Sequence, residues 1–248
     1  MSSNSIKFQT SPNPSINYFP PSEDSARSSA LVIFAGGGYW TRSEHEGAGY
    51  AQFFASQSFH CFVCDYRVAE EEGKGLGAAP LEDALFAVSY VHVHAEEFGY
   101  SPKKIGVVGS SAGGHLAAHV STVSYRWGPG FQLAWTILAY PVIALSGPFA
   151  HLGSGENLLG PDAGDRKVAE HSPHRLVHEQ TPPAYLWHTM EDGAVPLENS
   201  LLYADALRKS KVPFELHVTE KGRHGLGRNA DFAWAERAIQ WLECSEKI

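Results

Sequence analysis

Apolar and polar positions along this chain follow two periods that take turns. Short, β-rich apolar runs stand at ALVIFAG (30–36), HCFVCDY (60–66), KIGVVGS (104–110), AWTILAY (134–140), PAYLWHT (183–189) and FELHV (214–218). Longer stretches of helical period separate them. From Pro80, the residues Leu81, Ala84, Leu85, Val88 and Val91 recur at helical spacing until Gly99 stops the run, which predicts a helix with one buried face. Further helical stretches are predicted from Glu44 and over 230–243, where Ala235, Ala238, Ile239 and Leu242 share a face. Strands alternating with helices require crossover connections, so the pattern predicts a three-layer α/β fold with a mostly parallel sheet covered on both faces. Residues 1–29 are polar and rich in Ser and Pro and are expected to form an arm; no linker divides 30–248, which reads as a single domain. Pro141 to Pro183, rich in Gly, Pro and His, is expected to be a long irregular excursion of the lid or substrate-loop kind.

Composition narrows the partners. With 248 residues and 43% apolar content the chain has enough material for a sizeable core without disulfides. Lys+Arg 19 against Asp+Glu 27 leaves no basic stripe, so neither nucleic acid nor an anionic membrane is an expected partner. The N-terminus lacks an apolar signal-peptide core, and no stretch approaches the ~18 uninterrupted apolar residues of a membrane span. A cytoplasmic location is the expectation. Three cysteines cannot all pair, and Cys61 and Cys64 lie within an apolar run, so they read as core thiols of a reducing compartment. Oligomeric state has no signature here.

The chemistry concentrates at GSSAG (109–113), a G-x-S-x-G directly after the strand KIGVVG and directly before the helical run AGGHLAAHVSTV. Strand, sharp turn and helix are the context in which this motif lifts a serine, Ser111, above the carboxyl edge of a sheet. The helix N-terminus then lies beneath the hydroxyl, so the Ala112 amide faces a developing oxyanion. A serine that attacks a carbonyl also needs further oxyanion donors, a base and an orienting acid. FAGGGYW supplies Gly36, Gly37 and Gly38 at the end of another strand, where consecutive glycines let amides point into a site. These glycines lack the spacing and the following Lys-Ser/Thr of phosphate-binding loops. Asp192, just past PAYLWH, is the expected acid, with Glu191 its neighbouring rival; His224, just past FELHV, is the expected base. The chain order Ser, Asp, His is that of a nucleophile-elbow enzyme. Tyr39 and Trp40, which follow the glycines, are candidates for lining the pocket or for packing beneath the loop.

Thirteen histidines force a choice of base. His115 and His119 stand four apart on the helix after Ser111, but no carboxylate is interleaved as in a zinc helix, and packing or hydrogen bonding is their expected role. His188 and His217 lie within strands, and His171, His174 and His178 within the excursion. No metal or organic cofactor is needed by this constellation.

The blocks GSSAGGHLAAH, AGGGYWTRSEHEG, DYRVA, AYPVI, ENLLG, TPPAYLWHTMEDGAVPLENS and GRHGLG together resemble the α/β-hydrolase superfamily, within it the acetyl xylan esterase-like group that includes bifunctional acetyl and feruloyl xylan esterases. The similarity runs from about residue 30 to 243. It implies Ser111 as nucleophile, Asp192 as acid, His224 as base, Gly36 to Gly38 with Ala112 as oxyanion hole, and a minimal cap. It further implies hydrolysis of small acyl esters of carbohydrates, such as acetylated xylo-oligosaccharides, without a cofactor. Ala35 departs from the His or Pro that relatives carry before the glycines. An arylformamidase on the same fold is the alternative, although its His-Gly-Gly-Tyr-Trp loop is one glycine shorter than AGGGYW; a hydrolase-fold binding protein without turnover is the minor one.

Overall fold

The computed structural model describes residues 4–6, 14–22, 27–128, 131–229, 231–245 and 248. Its centre is an eight-stranded sheet in the order β1-β2-β4-β3-β5-β6-β7-β8. The strands are β1 (Asn4–Ile6), β2 (Ser15–Phe19), β3 (Ala30–Phe34), β4 (His60–Asp65), β5 (Ile105–Ser110), β6 (Trp135–Ala139), β7 (Ala184–Thr189) and β8 (Phe214–Thr219). From β3 to β8 every neighbouring pair is parallel, whereas β2 pairs antiparallel with β4 and β1 antiparallel with β2. The stretch expected to be a polar arm therefore extends the sheet. Ile16 of β2 is buried, and its polar neighbours Ser15 and Asn17 both bond the Asp65 carboxylate, at 2.5 and 2.8 Å.

The helices are α1 (Ala48–Ser56), α2 (Ala69–Glu72), α3 (Ala79–Val93), α4 (Ala95–Phe98), α5 (Ser111–Val123), α6 (Leu152–Leu159), α7 (Asp165–Glu170), α8 (Pro173–Leu176), α9 (Glu198–Lys209) and α10 (Trp234–Cys244). The stretch expected to be helical from Glu44 begins instead as a short 3₁₀ turn, Glu44–Glu46, before α1. The excursion 141–183 is less irregular than its composition suggests, since it holds α6, α7 and α8.

Central strands are buried on both faces, and alternate residues feed two cores. Val32, Phe62, Val107, Leu138 and Leu186 face α3, α5 and α9; Leu31, Cys61, Val108, Ile137 and Trp187 face α1 and α10. Cys61 and Cys64 consequently point to opposite faces and stay unpaired, and burial pushes both thiols up. The nucleophile-bearing helix α5 is buried over its whole length, its small residues Ala112, Gly113, Gly114, Ala117 and Ala118 allowing close contact with the sheet. At the sheet's edge β8 is only partly covered: Phe214 and Leu216 are half-buried, but Val218 is exposed. No described helix is long and apolar enough to cross a membrane.

Candidate active site

Ser111 sits where β5 ends and α5 begins, with φ of 52°, in the left-handed region. A non-glycine residue held there costs of order 1 kcal/mol or more, strain that surrounding packing must hold in place. The packing is backbone on backbone: a Cβ on Gly109 would lie 2.2 Å from the Gly113 carbonyl oxygen, and one on Gly113 would lie 2.1 Å from that of Phe34. Both ends of the motif are therefore glycine for steric reasons. The turn leaves Ser111 only 6% exposed, its hydroxyl aimed at His224.

The loops after β5, β7 and β8 bring the three expected residues together. Ser111 Oγ lies 2.8 Å from His224 Nε2, and His224 Nδ1 lies 2.6 Å from Asp192 Oδ2. Because a carboxylate only accepts, Nδ1 carries the proton and Nε2 is free to accept from the serine hydroxyl. Asp192 Oδ1 accepts two backbone N–H bonds, from Ala194 at 3.0 Å and Val195 at 2.9 Å. Burial pushes the Asp192 carboxyl up, but the bonds from His188, His224 and the Val195 amide outweigh it and hold the group well below the usual carboxylate range. Glu191, its rival, is exposed and among the described residues bonds only the Gly222 amide, at 3.4 Å.

His188 enters here unforeseen. Its Nε2 donates to the Val195 carbonyl at 2.9 Å and stands 3.4 Å from Asp192 Oδ2, while Nδ1 accepts from Ser200 Oγ at 2.8 Å. The buried imidazole thus braces the same turn that presents Asp192.

The glycine loop needs a correction. The Gly36 N–H is already committed, donating to the buried Glu46 carboxylate at 2.9 Å, so it is not an oxyanion donor. Gly37 and Gly38 amides and that of Ala112, in the first turn of α5, have no bonded partner among the described residues. The loop turns back through Trp40 and Thr41 N–H bonds to the Gly37 carbonyl, and Asn157 of α6 donates to the Gly38 carbonyl at 2.9 Å. Tyr39 does not line a pocket: it is 1% exposed, and its hydroxyl donates to His115 Nδ1 at 2.7 Å while His115 Nε2 donates to the His171 carbonyl. Trp40, by contrast, is 46% exposed beside the loop. His115 and His119 are buried and held neutral, and no group of three or more His, Cys, Asp or Glu among the described residues could hold a metal.

The excursion supplies His151, at the N-cap of α6. Its Nδ1 accepts from the Ser154 amide and hydroxyl, and its ring edge stands 3.9 Å from where a Gly38 Cβ would be. Burial and the neighbouring His224 push its pKa down. Neither His151 nor Asn157 has a sequence signal, because each meets the glycine loop only through the fold.

Comparison with known proteins gives this geometry its context. A family model described as BD-FAE matches residues 17–126. The chain is 34% identical to endo-1,4-beta-xylanase B of Butyrivibrio fibrisolvens over 82% of its own length and 33% of that protein. To an acetylxylan esterase of Xylanibacter ruminicola it is 31% identical over 91% of its length and 47% of that protein. The chain thus spans about a third of the first of these curated relatives and about half of the second. The solved structure of an acetyl ester-xyloside bifunctional hydrolase from Caldicellulosiruptor lactoaceticus superposes with a TM-score of 0.86 at 37% identity, covering 95% of this chain and 89% of that one. The chain belongs to the α/β-hydrolase superfamily, in its acetyl xylan esterase-like group. Sheet order, elbow and chain order of Ser, Asp and His agree with that membership.

Proposed function

We propose that this chain is a serine ester hydrolase that removes small acyl groups, acetyl above all, from carbohydrates such as acetylated xylo-oligosaccharides. The observation that carries the reading is the unbroken hydrogen-bonded series Asp192–His224–Ser111, at 2.6 and 2.8 Å, beside amides with no partner among the described residues. In the first half-reaction His224 Nε2 takes the Ser111 proton as Oγ bonds to the ester carbonyl carbon. Charge gathers on the carbonyl oxygen, where the Gly37, Gly38 and Ala112 amides receive it. Asp192 keeps the proton on Nδ1 and steadies the imidazolium. The C–O bond to the alcohol then breaks, His224 returns the proton to the departing oxygen, and water cleaves the acyl-enzyme by the same route. Nothing in these steps calls for a metal or organic cofactor.

Support for an acetylated sugar comes from the names of the relatives and from Trp40, whose exposed indole offers a flat apolar face next to the oxyanion loop. Feruloyl esters fit the same chemistry with a larger acyl group. The test is time-resolved hydrolysis of 4-nitrophenyl acetate, butyrate and octanoate, methyl ferulate, acetylated xylo-oligosaccharide and N-formylkynurenine, with Ser111→Ala alongside. Rapid release from acetate and the acetylated sugar, lost by a factor of about 10⁴ or more in the variant, is the expected result. Turnover of N-formylkynurenine alone would make the chain an arylformamidase, and no turnover by folded protein would leave a binding module.

A further inference from the structure

Glu46 is the least expected residue near the site. It is 2% exposed, and its only ion-pair contact among the described residues is His45 Nε2 at 3.8 Å. A carboxylate buried without a close cation is costly, and an apolar side chain of similar shape is often as stable. Stability alone therefore gives no reason for it.

Its bonds do. One oxygen, Oε2, accepts the Gly36 amide at 2.9 Å; the other, Oε1, accepts the Tyr140 hydroxyl at 2.7 Å. Tyr140 has then spent its proton, so its oxygen accepts from the Gly227 amide at 2.7 Å and from the Tyr50 hydroxyl at 3.1 Å. Every donor and acceptor of that phenol is used. Gly36 opens the glycine loop; Gly227 closes the loop that carries His224. The Tyr140 ring also stands edge-on to the His224 imidazole, centroids 5.1 Å apart at 72°. Tyr140 itself is held at φ of 38°, in the left-handed region, its amide bonded to the Trp187 carbonyl. His45 adds a second tie, with Nε2 3.3 Å from the Gly225 carbonyl.

We propose that Glu46 and Tyr140 are positioning residues that lock the oxyanion loop to the base loop, so that one buried hydrogen-bonded unit fixes both the charge-receiving amides and the proton-moving imidazole. The proposal rests on the serine esterase reading for its catalytic meaning, although the lock itself is a property of the fold. It also accounts for Gly36, where a Cβ would stand 2.2 Å from Glu46 Oε2.

The test reads each isosteric variant at the end it does not touch. Amide hydrogen exchange is followed at Gly36 in Tyr140→Phe and at Gly227 in Glu46→Gln, in the full chain. Each far amide is expected to exchange about tenfold faster or more. Loosening confined to the near amide in both variants would overturn the lock, and this arm holds whether or not the chain is an esterase. The second arm measures 4-nitrophenyl acetate turnover together with affinity for a trifluoromethyl ketone, whose adduct with serine carries the oxyanion. Expected are kcat losses of about 10- to 100-fold with KM within about twofold, and an equal loss of ketone affinity. Unchanged kcat, or a kcat loss without loss of ketone affinity, in variants that melt like the parent would reduce Glu46 and Tyr140 to packing. Absence of any Ser111-dependent turnover in the parent would instead strike the esterase reading.

Discussion

At Asp192 the two carboxylate oxygens have different duties, and that division predicts what an amide there would do. Oδ1 is occupied by the Ala194 and Val195 N–H groups, which only a carbonyl oxygen can satisfy. In Asp192→Asn the side-chain carbonyl must therefore take the Oδ1 place, turning its NH₂ toward His224 Nδ1. That nitrogen then has to accept, the ring proton moves to Nε2, and the base can no longer receive the Ser111 proton. A loss of about 10³- to 10⁴-fold in kcat is expected with the fold intact. Glu191→Gln, at an exposed side chain bonded to the Gly222 amide, should stay within a few-fold of the parent. Retention of more than about a tenth of the activity by Asp192→Asn, or a larger loss in Glu191→Gln, would reassign the acid. The acid, the base and the serine are legible without a structure because each follows a strand at the same sheet edge, within a few residues of its end. Glu46 and Tyr140 are not: their bond joins residues 94 positions apart, and nothing local marks either.

The same contrast holds for elements. β5 and α5 are readable because apolar run, glycines and helical period adjoin one another, and a Cβ on Gly109 or Gly113 would meet backbone. β2 is misread as part of an arm because a strand next to the sheet's edge with one buried residue, Ile16, has a polar pattern that only its pairing with β4 redeems. α6 is hidden by its glycines, GSG within LGSGENLL, which lower helix propensity. Its N-cap bond, which His151 accepts from the Ser154 amide, and its place above the glycine loop compensate. Through Asn157 it grips the Gly38 carbonyl, so the peptide that follows the Gly37 and Gly38 amides is held from outside the loop. Asn157→Ala leaves that carbonyl without its donor, a loss of about 1 to 2 kcal/mol in holding the loop. The expected outcome is a fall in kcat/KM of roughly 5- to 30-fold toward acetyl esters, carried by kcat. Comparison of kcat and KM for the variant checks it, and a rise in KM alone would make α6 a substrate-contacting element instead.

Across the whole molecule, the packing that makes α5 a rigid base for Ser111 also sets an acid limit on stability. His115 and His119 lie buried along that helix; burial holds His115 down to about 3, against the opposing bond to the His171 carbonyl, and holds His119 well below its ordinary value. Unfolded, each imidazole takes up a proton near pH 6.5. Below that pH the unfolded chain binds protons that the folded one refuses, so stability is complete above about 6.5 and falls as pH drops toward the folded value. Each such histidine contributes a slope of about 1 kcal/mol per pH unit in that window. His60, His151 and His174 are lowered too, mainly by burial, and act in the same direction; His151 and His174 are partly exposed, which leaves them smaller contributions. Asp192, held low, acts in the same direction only at more acid pH, since its stabilisation is present above about 4 and is lost below. Urea unfolding from pH 7.5 to 4 should therefore show a continuous fall in stability from pH 6.5 downward. His115→Gln, whose amide can accept from Tyr39 and donate to the His171 carbonyl as the imidazole does, should flatten that slope by about 1 kcal/mol per unit. An unchanged slope in this variant would mean that His115 takes up its proton inside the fold, and the dry packing of α5 against the excursion would have to be abandoned.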